Sequence, residues 1–311
     1  MNIFLLFVGL LLLYVGSDWL VRGASSLALS FSIRPIIVGL TVVALGTSAP
    51  ELLVSLVAAA KGSSGVSVGN IIGSNIINIA LILGLSAMVR PLEVDKKFLS
   101  RELPYLIGVS FLFWILCLDG RLDRVDGSIL LAMLVVFLFY SILTAKEGKG
   151  GQVKRQETSG RRYTLNVVLV VLGLACLAKG ADMMVVSAIA IARKFGLSEV
   201  LIGLTIVALG TSLPELATSV VAVAKGESDI SIGNVVGSNL FNICLVMGLV
   251  GILNPVQIDG RLNRFEFPVM LILTVLLLVF ARSGFRIQRV EGMFFASCFF
   301  IYIGVAYWLA L

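Results

Sequence analysis

The stretch GLTVVALGTSAPELLVSLVAAAKG, Gly39 to Gly62, recurs as GLTIVALGTSLPELATSVVAVAKG, Gly203 to Gly226. Eighteen of the 24 aligned positions are identical, at a fixed offset of 164 residues. Both copies lie in strongly apolar sequence, and each places a glutamate, Glu51 or Glu215, directly after a proline. A charge near a bilayer midplane costs at least ~2.5–3.5 kcal/mol on insertion scales. Two carboxylates at matching places in two halves of one chain therefore read as a cation site built by duplication.

Composition sets the class. Of 311 residues, 59% are hydrophobic and 14% charged, where a soluble protein carries roughly 25% charge. The surplus apolar sequence falls into blocks of the ~20 residues a helix needs to cross ~30 Å of hydrocarbon. The chain reads as an all-α polytopic membrane protein with no soluble domain. The apolar start continues past Val15 through Leu20 without a basic beginning or a small-residue cleavage site, so it reads as a span and not as a signal peptide. There is no histidine, which removes the commonest proton shuttle and transition-metal ligand. Cys117, Cys176, Cys244 and Cys298 sit in apolar segments without CxxC spacing and read as small hydrophobes. The net charge of +6 comes from basic loops, which the positive-inside rule explains without any nucleic acid.

Apolar runs between charged breaks give ten transmembrane helices: 3–27, 33–60, 67–89, 103–118, 126–144, 164–190, 199–224, 231–253, 265–281 and 290–310. The duplication runs through them. GSDWLV at Gly16 aligns with GADMMV at Gly180, and SVGNIIGSNIINIALILGL at Ser67 with SIGNVVGSNLFNICLVMGL at Ser231. The chain thus divides into a five-helix repeat over 1–145, a basic linker over 146–163 and a second five-helix repeat over 164–311. Five is odd, so the second repeat enters the membrane from the opposite side, as an inverted repeat. With both termini outside, sixteen of the 24 Lys and Arg residues fall in inner loops and seven in outer ones, Lys179 lying within a span. That asymmetry favours this orientation. The linker is rich in Gly, Lys and Arg and reads as flexible and lipid-facing.

The duplicated prolines predict broken helices. Pro50 lacks an N–H and its ring opposes the carbonyl of Gly46, while Thr47 and Ser48 bond locally to backbone. ALGTSAPE, from Ala44, and ALGTSLPE, from Ala208, should both kink near mid-span. Carbonyls exposed at that depth suit a cation. Two carboxylates alone repel, and a divalent cation removes the conflict. Calcium takes 6–8 oxygens at ~2.3–2.6 Å, whereas magnesium sheds water reluctantly. Carbonyls near Thr47 and Thr211 can add to the carboxylates. Ser74 and Asn78, and likewise Ser238 and Asn242, fall at i and i+4 on one helix face and supply neutral oxygens. Asn75 and Asn239 are rotated from that face and are open between packing and support of the site. Lys179 is placed to neutralise Asp182 one turn away. Gly69, Gly73, Gly84, Gly233, Gly237 and Gly248 read as close helix contacts, and Trp19 and Trp308 as interface anchors.

GTSAPE and GTSLPE, each followed by GNxxGSNxxNI in a five-plus-five array, resemble the sodium/calcium exchanger family of the calcium/cation antiporter superfamily, in its prokaryotic type. The resemblance covers essentially the whole chain. It implies a monomeric ten-helix carrier in the plasma membrane, without cofactor, in which sodium drives calcium outward by alternating access at a midplane site. Its partners would be calcium, sodium and the lipid bilayer. By that resemblance Glu51 and Glu215 hold calcium, and carbonyls or hydroxyls of Ala44, Thr47, Ser48, Ala208, Thr211 and Ser212 bind calcium or sodium, as do Ser74, Asn78 and Ser238. One position departs: family members often carry aspartate where this chain has Asn242. The centre then holds two acids and not three, which leaves sodium stoichiometry and potassium or proton involvement open.

Other readings rank lower. Proton-driven calcium exchange is weakened by the lack of histidine and of a third acid. A passive channel usually assembles its pore from several subunits. An intramembrane enzyme ranks lower still, since HExxH is missing and no nucleophile–base pair is visible.

Overall fold

The computed structural model describes residues 2–31, 33–144, 160–194 and 208–308. In chain order it contains α1 (Asn2–Ser30), α2 (Pro35–Thr47), α3 (Ala49–Ala60), α4 (Ser64–Val89), β1 (Leu92–Glu93), α5 (Lys96–Leu116), β2 (Arg121–Leu122) and α6 (Arg124–Thr144). There follow α7 (Gly160–Lys194), α8 (Ala208–Thr211), α9 (Leu213–Ala224), α10 (Ser228–Leu253), β3 (Val256–Gln257), α11 (Leu262–Arg282), β4 (Arg286–Ile287) and α12 (Arg289–Trp308). Among the described residues, eight helices are long and apolar enough to cross a membrane, and α2 with α3, bent by 45°, makes nine when the bent pair is counted as one span. The expected span 199–224 is seen only from Ala208 onward; its first part lies outside the described residues.

Two boundaries differ from expectation for local reasons. Helix α5 starts at Lys96, well before 103, because Asp95 caps it by accepting the backbone N–H of Lys97 at 2.7 Å. Buried Glu102 then continues the helix, paired with Arg34 at 3.3 Å. Helix α7 starts at Gly160, so the last four residues of the expected linker 146–163 are helical. Tyr163 packs edge-on against Phe31, with ring centroids 5.7 Å apart, and fixes that first turn. The rest of the linker lies outside the described residues.

Burial ranks the helices. The spans α4 and α10 are each 83% buried, against 28% for α6 and α7 and 17% for α12. Thus α4 and α10 form the centre while α6, α7 and α12 face outward, and Phe4, Leu53, Val135, Phe139, Phe300 and Trp308 are among many exposed apolar side chains. Such a surface matches hydrocarbon. Glycine lets α2 sit on α10: a Cβ at Gly233 or Gly237 would lie 2.6 Å from the carbonyls of Ile36 or Leu40. Gly84 and Gly248 are equally tight against Gly292 and Leu131. At Gly69 and Gly73 no such contact occurs among the described residues. Their would-be partners at 200 and 204 lie outside the described residues.

Helices α1 and α7 pack antiparallel. Gly9 meets Gly180, Gly16 meets Gly173, and Gly23 meets Asn166; a Cβ on any of the three α1 glycines would approach a carbonyl to 2.7–2.9 Å. Two tiny sheets tie the halves at their ends. Strand β1 pairs with β4, and β2 with β3, both antiparallel. The 21-residue helix α5 separates β1 from β2, about 30 Å at 1.5 Å per residue. Since β1 follows α4 while β3 follows α10, these two matching helices end at opposite ends of α5.

Candidate functional site

Both duplicated breaks have the same backbone. Ser48 (φ −81°, ψ 6°) separates α2 from α3, and Ser212 (φ −88°, ψ 6°) separates α8 from α9. A proline follows at each second helix start, where its missing N–H costs nothing. The break is one residue wide. Ser48 N–H still reaches the carbonyl of Ala44 at 3.0 Å, and Leu52 N–H that of Ser48 at 3.1 Å. A π-helical turn over Gly39–Val43 leads into the first break, and further π turns begin at Asn78 and at Asn242. Such turns cluster at functional sites; nothing in the sequence pattern signalled them.

Glu51 and Glu215 are fully buried at the starts of α3 and α9. Each is held by the other half. Ser212 donates to Glu51 Oε1 at 3.1 Å, and Ser48 donates to Glu215 Oε1 at 3.1 Å. Each also takes a hydroxyl from its own half: Ser74 at 3.5 Å for Glu51, Ser238 at 3.3 Å for Glu215. Ser212 and Ser74 hydroxyls lie 3.3 Å apart, Thr47 and Ser238 hydroxyls 3.4 Å apart. So Glu51, Ser212 and Ser74 form one buried cluster, and Glu215, Ser48, Ser238 and Thr47 form its mirror, each built from both halves of the chain.

Thr47 and Thr211 also bond two residues that sequence reasoning passed over. Asn234 Oδ1 accepts from Thr47 at 3.1 Å, and its amide nitrogen donates to the Glu215 carbonyl at 3.4 Å and to Ser219 at 3.0 Å. Asn70 repeats this with Thr211 at 3.5 Å, the Glu51 carbonyl at 3.5 Å and Ser55 at 3.0 Å. The signal was the asparagine opening each GNxxG segment, a duplicated amide in an apolar helix. Ala44 heads the turn before the first break and its carbonyl lies 3.3 Å from the Thr47 hydroxyl; Ala208 heads the matching turn.

Asn78 and Asn242, both fully buried, lie where α4 crosses α10. Asn78 donates to Asn239 Oδ1 at 2.9 Å, and Asn242 to Asn75 Oδ1 at 3.2 Å. The remaining atoms set the chemistry. Glu51 Oε2, Glu215 Oε2, Asn78 Oδ1 and Asn242 Oδ1 are buried without any hydrogen-bond partner. All four are acceptors. Buried oxygens left unpaired are costly, and a hard cation is the partner that satisfies several at once. No group of three or more His, Cys, Asp or Glu occurs among the described residues, so the charge in this network is that of two carboxylates. Asp182 sits apart, paired with Lys179 at 2.9 Å, and Asp18 pairs with Arg22 at 3.0 Å and with Lys225. Cys117 and Cys244 are buried thiols with no disulfide.

Comparison with known proteins gives one pattern. A family model described as sodium/calcium exchanger protein matches residues 1–143 and 165–308. The inner membrane protein YrbG of Escherichia coli is 40% identical, across 98% of this chain and 97% of its own. The sodium/calcium exchanger MaX1 of Methanosarcina acetivorans is 29% identical, across 99% of each. A solved structure of the sodium-calcium exchanger NCX_Mj, soaked with 2.5 mM Na+ and 0.1 mM Ca2+, superposes with a TM-score of 0.86 at 34% identity, covering 97% of each chain.

Proposed function

We propose, from the premise that this chain belongs to the sodium/calcium exchanger protein family, that it is a secondary antiporter exchanging sodium for calcium at the buried Glu51–Glu215 site. The family is one of multi-pass membrane transporters, not of enzymes. The observation that carries the reading is the set of four unpartnered, buried acceptor oxygens on Glu51, Glu215, Asn78 and Asn242. Hydroxyls of Ser48, Ser74, Ser212 and Ser238 bond the two glutamates, and those of Thr47 and Thr211 sit at the same two helix breaks. A carbonyl has two lone pairs, so those of Ala44 and Ala208 can serve a cation as well as the helix. Together these groups suffice for the 6–8 oxygens calcium takes, and two carboxylates neutralise one divalent ion. Soft ligands are lacking, which disfavours zinc or copper.

The same reading makes the chain an inverted five-plus-five repeat, 1–145 and 164–311 joined by the basic linker 146–163. Its support is the duplicated sequence together with the opposite run of α4 and α10 and the antiparallel α1–α7 pair. The site then lies near the bilayer midplane and is exposed to the two sides in turn. Both termini lie outside, the molecule works as a monomer, and the plasma membrane is its place.

The test is an ion-substitution flux assay in liposomes, with sodium, potassium and pH varied separately. Calcium uptake should follow an outward sodium gradient. Uptake that follows a proton gradient alone moves the protein to proton coupling, and uptake with no counter-ion gradient makes it a channel. If three sodium ions exchange for one calcium, one net charge moves per cycle. Flux that ignores an imposed voltage refutes that stoichiometry.

A further inference from the structure

Asn78 and Asn242 each have two chemically opposite ends. The amide oxygen attracts a cation; the amide NH2, a donor only, repels it. Something must decide which end faces the ion, and a carboxylate would not pose the question. On the first half the decision starts from backbone. The carbonyl of Asn75 can only accept, and Asn239 Nδ2 donates to it at 3.3 Å. Asn239 therefore turns its Oδ1 to Asn78, which must answer with its Nδ2, at 2.9 Å. The Oδ1 of Asn78 is the arm left over, buried and unpartnered.

On the second half the decision starts from a side chain. The thioether of Met270, on α11, lies 3.7 Å from Asn75 Nδ2 and accepts weakly. Asn75 then turns its Oδ1 to Asn242 Nδ2 at 3.2 Å, leaving Asn242 Oδ1 free. The position matching Met270 in the first half is Leu106, so this anchor is not duplicated. We infer that Asn75 and Asn239 are positioning residues that bind no ion but fix the amides of Asn242 and Asn78 with oxygen toward the cation, and that Met270 anchors the first of them. This deepens the exchanger reading and rests on it.

The experiment is a mutant cycle read by the apparent KM for calcium in sodium-driven uptake. Removal of an outer partner of an ion ligand typically costs about 10–100-fold in metal affinity. Asn75→Leu should raise KM for calcium at least about tenfold. In an Asn242→Asp background, whose two carboxylate oxygens are equivalent, the same substitution should change KM by less than about twofold. A merely structural asparagine would cost the same in both backgrounds, and that outcome overturns the inference, as does an unchanged KM for Asn75→Leu alone. Met270→Leu conserves volume and folds at little cost. It covers the case of Asn75→Leu failing to fold: it should raise KM a few-fold in the parent and not in the Asn242→Asp background, and equal effects again overturn the inference. An unmutated protein that takes up no calcium would instead sink the exchanger reading, a result visible before any variant is compared.

Discussion

Glu51 and Glu215 are held alike, whereas Asp18 and Asp182, just as well matched in sequence, are not. At the centre each carboxylate takes a serine from the opposite break at 3.1 Å. At the rim Asp18 of α1 pairs with Lys225 at the end of α9, while Ser25 donates to Glu227 at 2.9 Å. The mirror pair would be Asp182 with Lys61. Instead, among the described residues, Asp182 pairs within its own helix, to Lys179, with its side chain 58% exposed, and Lys61 has no ion pair. Equal sequence thus gives equal contacts at the site and unequal contacts at the edge. The difference teaches that the site is symmetric by chemistry, while the α1–α7 pair leans toward one half by conformation.

The largest effects should come from breaking the centre. Glu51→Gln and Glu215→Gln should each abolish calcium uptake, more than about 100-fold, while size-exclusion profiles stay those of a folded protein. Replacing one carboxylate removes half the charge that balances a divalent ion. Near-normal uptake by either variant would mean the two acids are not equivalent partners.

Smaller and more discriminating are the serines. Ser48→Ala and Ser212→Ala each remove a hydrogen bond to a charged group, worth about 1.5–3 kcal/mol, of which tenfold in KM for calcium is about 1.4 kcal/mol. The two variants should rise together, by about tenfold and within twofold of each other. A one-sided effect would show that the breaks serve different ions, and would sharpen the comparison rather than leave it symmetric.

The smallest effects belong to the rim. Asp18→Asn removes the ion pairs to Arg22 and Lys225, of which the less exposed one to Lys225 is worth up to about 1 kcal/mol, so turnover should change by up to about fivefold. Asp182→Asn removes an exposed one and should change turnover by less than twofold. Equal effects would mean that the unequal contacts at the rim have no bearing on transport.

Much of the candidate site was legible because polar residues in membrane helices are expensive and these occur twice. Glu51, Ser74 and Asn78 stood out against their apolar neighbours, and their copies at Glu215, Ser238 and Asn242 confirmed that the pattern was no accident. Asn70 and Asn234 escaped because their partners, the threonines of the opposite breaks, are distant in sequence. The glycines Gly9, Gly16 and Gly23 escaped for the same reason: a seven-residue spacing has meaning only once α7 lies against it. The start of α5 was misjudged because charged Asp95 and Lys97 looked like a break, when they form a cap.

By itself the sequence determined the membrane class, the duplication and the two broken helices. These follow from covalent neighbours: apolar length, proline sterics and matched acids. Only the tertiary structure decided that Ser48 serves Glu215 and Ser212 serves Glu51, that an oxygen of each glutamate and of Asn78 and Asn242 is left without a hydrogen bond, and that Asp18 reaches across to Lys225 while Asp182 pairs within its own helix. Those outcomes depend on how helices cross, and a crossing is set by packing across the whole bundle, which no local run of residues encodes.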